Sequence, residues 1–171
     1  MKSTKIIDIY IVDNDLLFID EFKSNFNFER NYKLSTFSSV QKFLANLQER
    51  NKNEKNFTFV IINDMIISHG LNTKSVVEIL PMIKNIDKQI SVVVLTENEN
   101  RELKMSASDL RPDAYVKNDK MLYLKLPPTL NRIISKYELK KSKRTLHITL
   151  IIAVVVIVLT VLQIVVASII S

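Results

Sequence analysis

The stretch KIIDIYIVDND, Lys5–Asp15, sets an isoleucine-rich apolar run directly against two acids and an amide. β-Branched residues favour a pleated, packed backbone, so Lys5–Val12 reads as a short strand. Asp13, Asn14 and Asp15 then stand at its C-terminal end. Residues 15–28 (DLLFIDEFKSNFNF) place Leu16, Ile19, Phe22 and Phe26 on one helical face. Tyr32–Phe37 (YKLSTF) alternates as a strand, and a helix from Ser38 through Leu47 turns Val40, Phe43, Leu44 and Leu47 inward.

The same unit recurs downstream. After a polar loop over 51–56, Phe57–Ile62 (FTFVII) predicts a third strand, ending at Asn63-Asp64. A helix is expected over about Thr73–Ile86, with Pro81 kinking or dividing it. Ile90–Leu95 (ISVVVL) is an almost unbroken apolar run, the pattern of a strand covered on both faces. Glu97–Leu110 predicts a weak helix, and Ala114–Val116 a last strand that leads into Lys117. Pro127-Pro128 interrupts the chain, so Pro128 or Thr129 is expected to begin the final helix, running through Tyr137. Strands joined by helices of this length imply an α/β fold with a doubly wound, five-stranded parallel sheet.

Composition narrows the chemistry. The chain has 171 residues and no cysteine, which removes disulfides, thiolate metal sites and thiol nucleophiles. It has two histidines, His69 and His147, and one glycine, Gly70, so a histidine-rich metal site and a glycine-rich phosphate loop are both excluded. His69 reads as a solvent-facing loop residue.

Ligands of an open parallel sheet gather beyond the C-terminal strand ends. There the sequence sets Asp13, Asn14 and Asp15 after strand one, Asp64 after strand three, Thr96 at the end of strand four and Lys117 at the end of strand five. Carboxylates suit Mg²⁺, a hard cation that keeps several waters. A hydroxyl and an ammonium suit phosphoryl oxygens.

In order and spacing these residues resemble the receiver domain of two-component response regulators, a flavodoxin-like fold, over roughly residues 4–140. The resemblance implies that Asp13 and Asn14, in IYIVDNDLLF, hold Mg²⁺ together with Asp64. Asp64, in FTFVIIND, is then the acceptor of a phosphoryl group from a histidine kinase. Thr96, in ISVVVLT, matches the switch hydroxyl, and Lys117, in DAYVKND, the lysine that contacts the phosphoryl group. The chain departs from the pattern in five places. Asn14 replaces one acid of the pair, and Asp15 is expected to cap the first helix instead. Glu97 follows Thr96 where a very small residue is usual, and Asn118 stands where a proline usually follows the lysine. The segment after Asp64 (MIISHGLN) lacks the usual proline, and Tyr115 lies one position closer to Lys117 than the family's aromatic.

The end of the chain is of another kind. Ile148–Ile170 (ITLIIAVVVIVLTVLQIVVASII) carries no charge. At about 1.5 Å per residue it measures roughly 34 Å, enough to cross a hydrocarbon core of about 30 Å. The preceding RIISKYELKKSKR, residues 132–144, has six basic residues against Glu138, or +5 of the chain's net +6. Such flanks stay cytoplasmic and attract anionic lipid, which places the N-terminal domain inside the cell, at a bacterial inner membrane. Ala153, Thr160 and Ala167 recur every seventh residue, with Gln163 one turn from Thr160 and from Ala167, a stripe suited to helix association.

The expected organisation is therefore a receiver-like domain over 1–126, a basic juxtamembrane helix over 127–145 and a single transmembrane tail anchor over 146–171. The expected function is signalling through protein contacts at the membrane, without enzymatic activity. Expected partners are a histidine kinase, a membrane protein or a second copy of the span, and anionic lipid, but not nucleic acid. The alternative is a pseudo-receiver, unphosphorylated, acting as a scaffold or regulatory subunit of a membrane complex.

Overall fold

A computed structural model of the chain describes residues 6–26, 32–50, 56–68, 72–97 and 111–170. It divides into two compact units, Met1–Asn131 and Arg132–Ser171.

The first unit is built on five parallel strands: β1 (Ile7–Val12), β2 (Tyr32–Phe37), β3 (Phe57–Asn63), β6 (Ser91–Thr96) and β7 (Ala114–Lys117). Their order across the sheet is β2-β1-β3-β6-β7. The helices between them are α1 (Leu16–Asn25), α2 (Val40–Glu49) and α3 (Val76–Ile86), and α4 (Leu122–Ile170) follows β7. The doubly wound five-stranded sheet expected from the sequence is thus present. Its register is continuous: Val12 lies beside both Phe37 and Ile62, Asn63 beside Leu95, and Thr96 beside Lys117. That register lines up the C-terminal ends of β1, β3, β6 and β7 along one rim.

The core follows from strand alternation. Tyr10, Val12, Val60, Ile62, Val92 and Val94 form one buried cluster with Val40, Phe43 and Leu47 of α2 and Ile79, Leu80 and Ile83 of α3. The intervening residues Ile9, Ile11, Phe59, Ile61, Val93 and Leu95 are equally buried on the other face. Ile19 and Phe22 of α1, with Leu122, Leu126 and Leu130 of α4, are also buried. Rings of Phe22 and Tyr123, 5.8 Å apart, join α1 to the start of α4. Each such apolar side chain contributes about 1.5–3 kcal/mol when fully buried. At the end of the sheet opposite the rim, the largely buried Arg50 reaches Asp8 of β1, Nη2 to Oδ2 at 3.4 Å, and also donates to the Asn56 carbonyl at 3.5 Å.

Four local expectations change. First, Thr73–Ser75 are not helical. Met65–Ser68 and Asn72–Ser75 pair as an antiparallel hairpin, β4–β5, with Met65 opposite Ser75 and Ser68 opposite Asn72. α3 therefore begins at Val76, whose N–H donates to the Asp64 carbonyl at 3.2 Å. Second, α3 continues through Pro81 as one helix. The proline therefore does not divide the helix, and Ile79, Leu80 and Ile83 on either side of it are buried in the core.

Third, α4 starts at Leu122 and contains Pro127 and Pro128. Asp119 initiates it, accepting the Met121 N–H on its side chain at 2.8 Å. Leu122, Leu126 and Leu130, at helical spacing, fix the buried face across the prolines. Thr129 donates its hydroxyl to the Lys125 carbonyl at 2.8 Å, near the break in the backbone ladder. Fourth, α2 begins two residues late. Ser39 is its N-cap, accepting from Lys42 N at 3.3 Å. The expected weak helix over 97–110 lies, apart from Glu97, outside the described residues, as do His69 and Gly70.

The second unit is helical. Its residues with described side chains from Leu146 to Leu162 are exposed, and the helix is apolar enough and long enough to cross a membrane.

Candidate functional site

Three polar side chains are buried at the rim where β1, β3 and β6 end. Asp13 is 3 % exposed, Asp64 7 % and Thr96 2 %. Buried carboxylates are costly unless hydrogen-bonded or balanced by positive charge, so their partners define the site.

Asp13 is held on both oxygens. Oδ1 accepts from Asp15 N at 2.9 Å and Oδ2 from Asn63 Nδ2 at 3.3 Å. Burial pushes its carboxyl above the usual aspartate range, and the hydrogen bonds from Asp15 and Asn63 only partly offset this. Asp13 N in turn donates to the Phe37 carbonyl at 3.1 Å, which ties the start of the turn to β2. Asp15 is the N-cap of α1, accepting from Leu17 N and Phe18 N, as its place before an apolar helical run implied. It is thereby occupied as a cap. Asn14, between the two acids, is exposed.

Asp64 follows β3 directly. Its N–H donates to the Leu95 carbonyl at 2.9 Å, and its Oδ2 accepts the Thr96 hydroxyl at 2.9 Å. Lys117 lies beside Thr96 in the sheet register and is exposed. Asn118 N donates to the Thr96 carbonyl at 2.9 Å, which carries the ladder one residue past β7. Glu97, next to Thr96, is exposed, and Tyr115 is half-buried on β7.

The structure thus joins Asp64 to Thr96 through a hydrogen bond and sets Asp13 on the adjacent strand end. Asn14 and Lys117 border the same rim with exposed side chains. Asn63 was not singled out by its sequence. An asparagine at a strand end has many uses, and its link to Asp13 appears only once β1 and β3 are in register. The signal available was its place immediately before Asp64.

The donor set fits Mg²⁺. Asp13 and Asp64 offer hard oxygen ligands on neighbouring strands, and Mg²⁺ takes one or two carboxylates with the rest water. Among the described residues, no group of three or more His, Cys, Asp or Glu is placed to hold a metal ion.

No protein-family model matches the chain, and no curated protein sequence matches it. Solved structures do. A response regulator receiver domain protein from Clostridium thermocellum superposes with a TM-score of 0.61 at 20 % identity, covering 78 % of this chain and 98 % of its own. The fold is that of the response-regulator receiver domain. A CheY-like receiver domain protein from Methanospirillum hungatei agrees, with a TM-score of 0.59 at 16 % identity, over 78 % of this chain and 98 % of its own. A protein from Rhodopirellula baltica described as an adenylate cyclase has the same fold, with a TM-score of 0.62 at 18 % identity, over 81 % of this chain and 95 % of its own. At these identities the likeness is one of receiver fold.

Proposed function

We propose that this chain is a membrane-anchored receiver whose Asp64 accepts a phosphoryl group and whose output is a protein contact at the membrane. The observation that carries the reading is the pair of buried rim carboxylates, Asp13 and Asp64, with the Thr96 hydroxyl hydrogen-bonded to Asp64 Oδ2 at 2.9 Å.

An Asp64 carboxylate oxygen attacks the phosphorus of a phosphohistidine on a kinase. The new bond is O–P, and the N–P bond breaks with its electron pair returning to the imidazole. Asp13, Asp64 and Asn14 would hold Mg²⁺, which when bound supplies positive charge to the phosphoryl oxygens. The Thr96 hydroxyl, released from the Asp64 carboxylate, donates instead to a phosphoryl oxygen, and the Lys117 ammonium pairs with another. The change at Asp64 thereby reaches β6 through one side chain.

The second unit supports the membrane part of this reading. It holds the basic residues from Arg132 to Arg144 and then the uncharged run from Ile148. The positive flank favours a cytoplasmic N-terminal domain and anionic lipid. Gln163 and Thr160, polar groups within the run, suit pairing with a partner span or a second copy.

The test is amide NMR of the full chain in uncharged detergent micelles, titrated with Mg²⁺ and then beryllofluoride. Shifts at Asp64, Thr96 and Lys117 that vanish in Asp64→Asn are the expected result. Silence at millimolar Mg²⁺ and beryllofluoride would overturn it in favour of an unphosphorylated scaffold of receiver fold, a reading that the amide at Asn14 favours.

A further inference from the structure

Asp13 is the more deeply buried of the two rim carboxylates, and its two oxygens are restrained from different directions. Asp15 N, which holds Oδ1, belongs to the same turn, two residues along the chain. Asn63 Nδ2, which holds Oδ2, comes from β3, fifty residues along the chain. Register explains the reach: Val12 pairs with Ile62, so the residues that follow, Asp13 and Asn63, lie side by side as the two strands end. The backbone of Asn63 is itself fixed, opposite Leu95 of β6. A donor on a central strand therefore sets the torsion of a carboxylate on its neighbour.

A carboxylate has about four acceptor positions, so two donors leave others open to an incoming ligand. Groups that hydrogen-bond to a ligating side chain fix its orientation, and their loss typically weakens metal binding by about 10–100-fold.

We propose that Asn63 is a positioning residue: its side-chain amide orients Asp13 for cation binding. The proposal rests on the reading of Asp13 as a ligand for Mg²⁺, and it assigns a task to a side chain one residue before the phosphoryl acceptor. Asn63 also offsets charge. Where Asn14 brings an amide to the rim in place of an acid, Asn63 brings a donor, and the cation site is built from two carboxylates steadied by an amide.

The experiment uses the full chain in uncharged detergent micelles, as wild type, Asn63→Ala and Asn63→Ser, with two readouts. One is the Mg²⁺ dissociation constant by calorimetry. The other, without metal, is the amide resonance of Asp15, which donates to Asp13 Oδ1 and so reports the carboxylate's orientation. We expect Asn63→Ala to weaken Mg²⁺ about 10–100-fold and to move the Asp15 resonance while the amide spectrum of α2 and α3 stays in place. Unchanged affinity in a folded Asn63→Ala overturns the proposal and leaves the function reading intact. Wild-type protein that binds no Mg²⁺ overturns the function reading and the cation role together, while the Asp15 resonance still decides whether Asn63 orients Asp13. If Asn63→Ala does not fold, Asn63→Ser is measured against the same two outcomes.

Discussion

Thr96 and Asp64 are joined at 2.9 Å between the ends of adjacent strands, a hydroxyl donating to a carboxylate oxygen where both side chains are buried. Thr96→Val keeps the volume and leaves Asp64 Oδ2 without that donor. The loss of a hydrogen bond to a buried charged group costs about 1–3 kcal/mol. Chemical denaturation of Thr96→Val should show that loss, and Thr96→Ser should recover most of it.

Asp13 responds to pH in the opposite sense to a salt-bridged carboxylate. Its folded-state value is raised by burial, so above the ordinary aspartate range the folded protein holds a proton that the unfolded chain has released. Stability linked to this group is greatest when it is protonated and falls as pH rises through the window above its usual value. Asp13→Asn removes the buried charge, and Asn63 can turn its amide to present an oxygen. We expect Asp13→Asn to raise Tm at neutral pH and to flatten the decline, measured as near-UV thermal melts from the usual aspartate range up to neutral pH.

The Asp8–Arg50 pair lies at the far end of the sheet, with side chains 6 % and 12 % exposed. Arg50→Met strands a buried carboxylate near the start of β1 and should destabilise by about 3–5 kcal/mol. The double variant Asp8→Leu/Arg50→Met should recover most of the loss. Denaturation midpoints of the two variants check both statements.

The basic flank of the second unit should govern orientation. Replacing Lys140, Lys141, Lys143 and Arg144 with glutamine removes four positive charges next to the apolar run. The share of chains whose N-terminal domain resists protease outside intact cells should fall, and affinity for anionic vesicles should drop by about 1 kcal/mol per residue replaced.

The parallel sheet was legible because its strands are short, β-branched runs, separated by helices with one apolar face. FTFVII and ISVVVL admit few other readings. The positions of the rim residues were legible for the same reason: a polar residue directly after such a run must sit at the strand end. What the sequence hid depends on contacts between segments. NTKS carries no strand signal of its own and becomes one only by pairing with MIIS. Pro127-Pro128 looked like a boundary because proline weakens a helix locally, yet Leu122, Leu126 and Leu130 bury a common face and outweigh it. Asn63 acquired its partner only through the pairing of β1 with β3.

The hairpin β4–β5 departs from the parallel sheet after Asp64 and the chain re-enters at Val76, and those two residues share a hydrogen bond. The chain thus exits and re-enters through one doorway. Whatever its length or sequence, a segment hung on such a doorway leaves the strand before it and the helix after it where they were. The excursion is a hairpin set next to Asp64, closed at its base by a backbone hydrogen bond, so its own pairing and that of the sheet are separate.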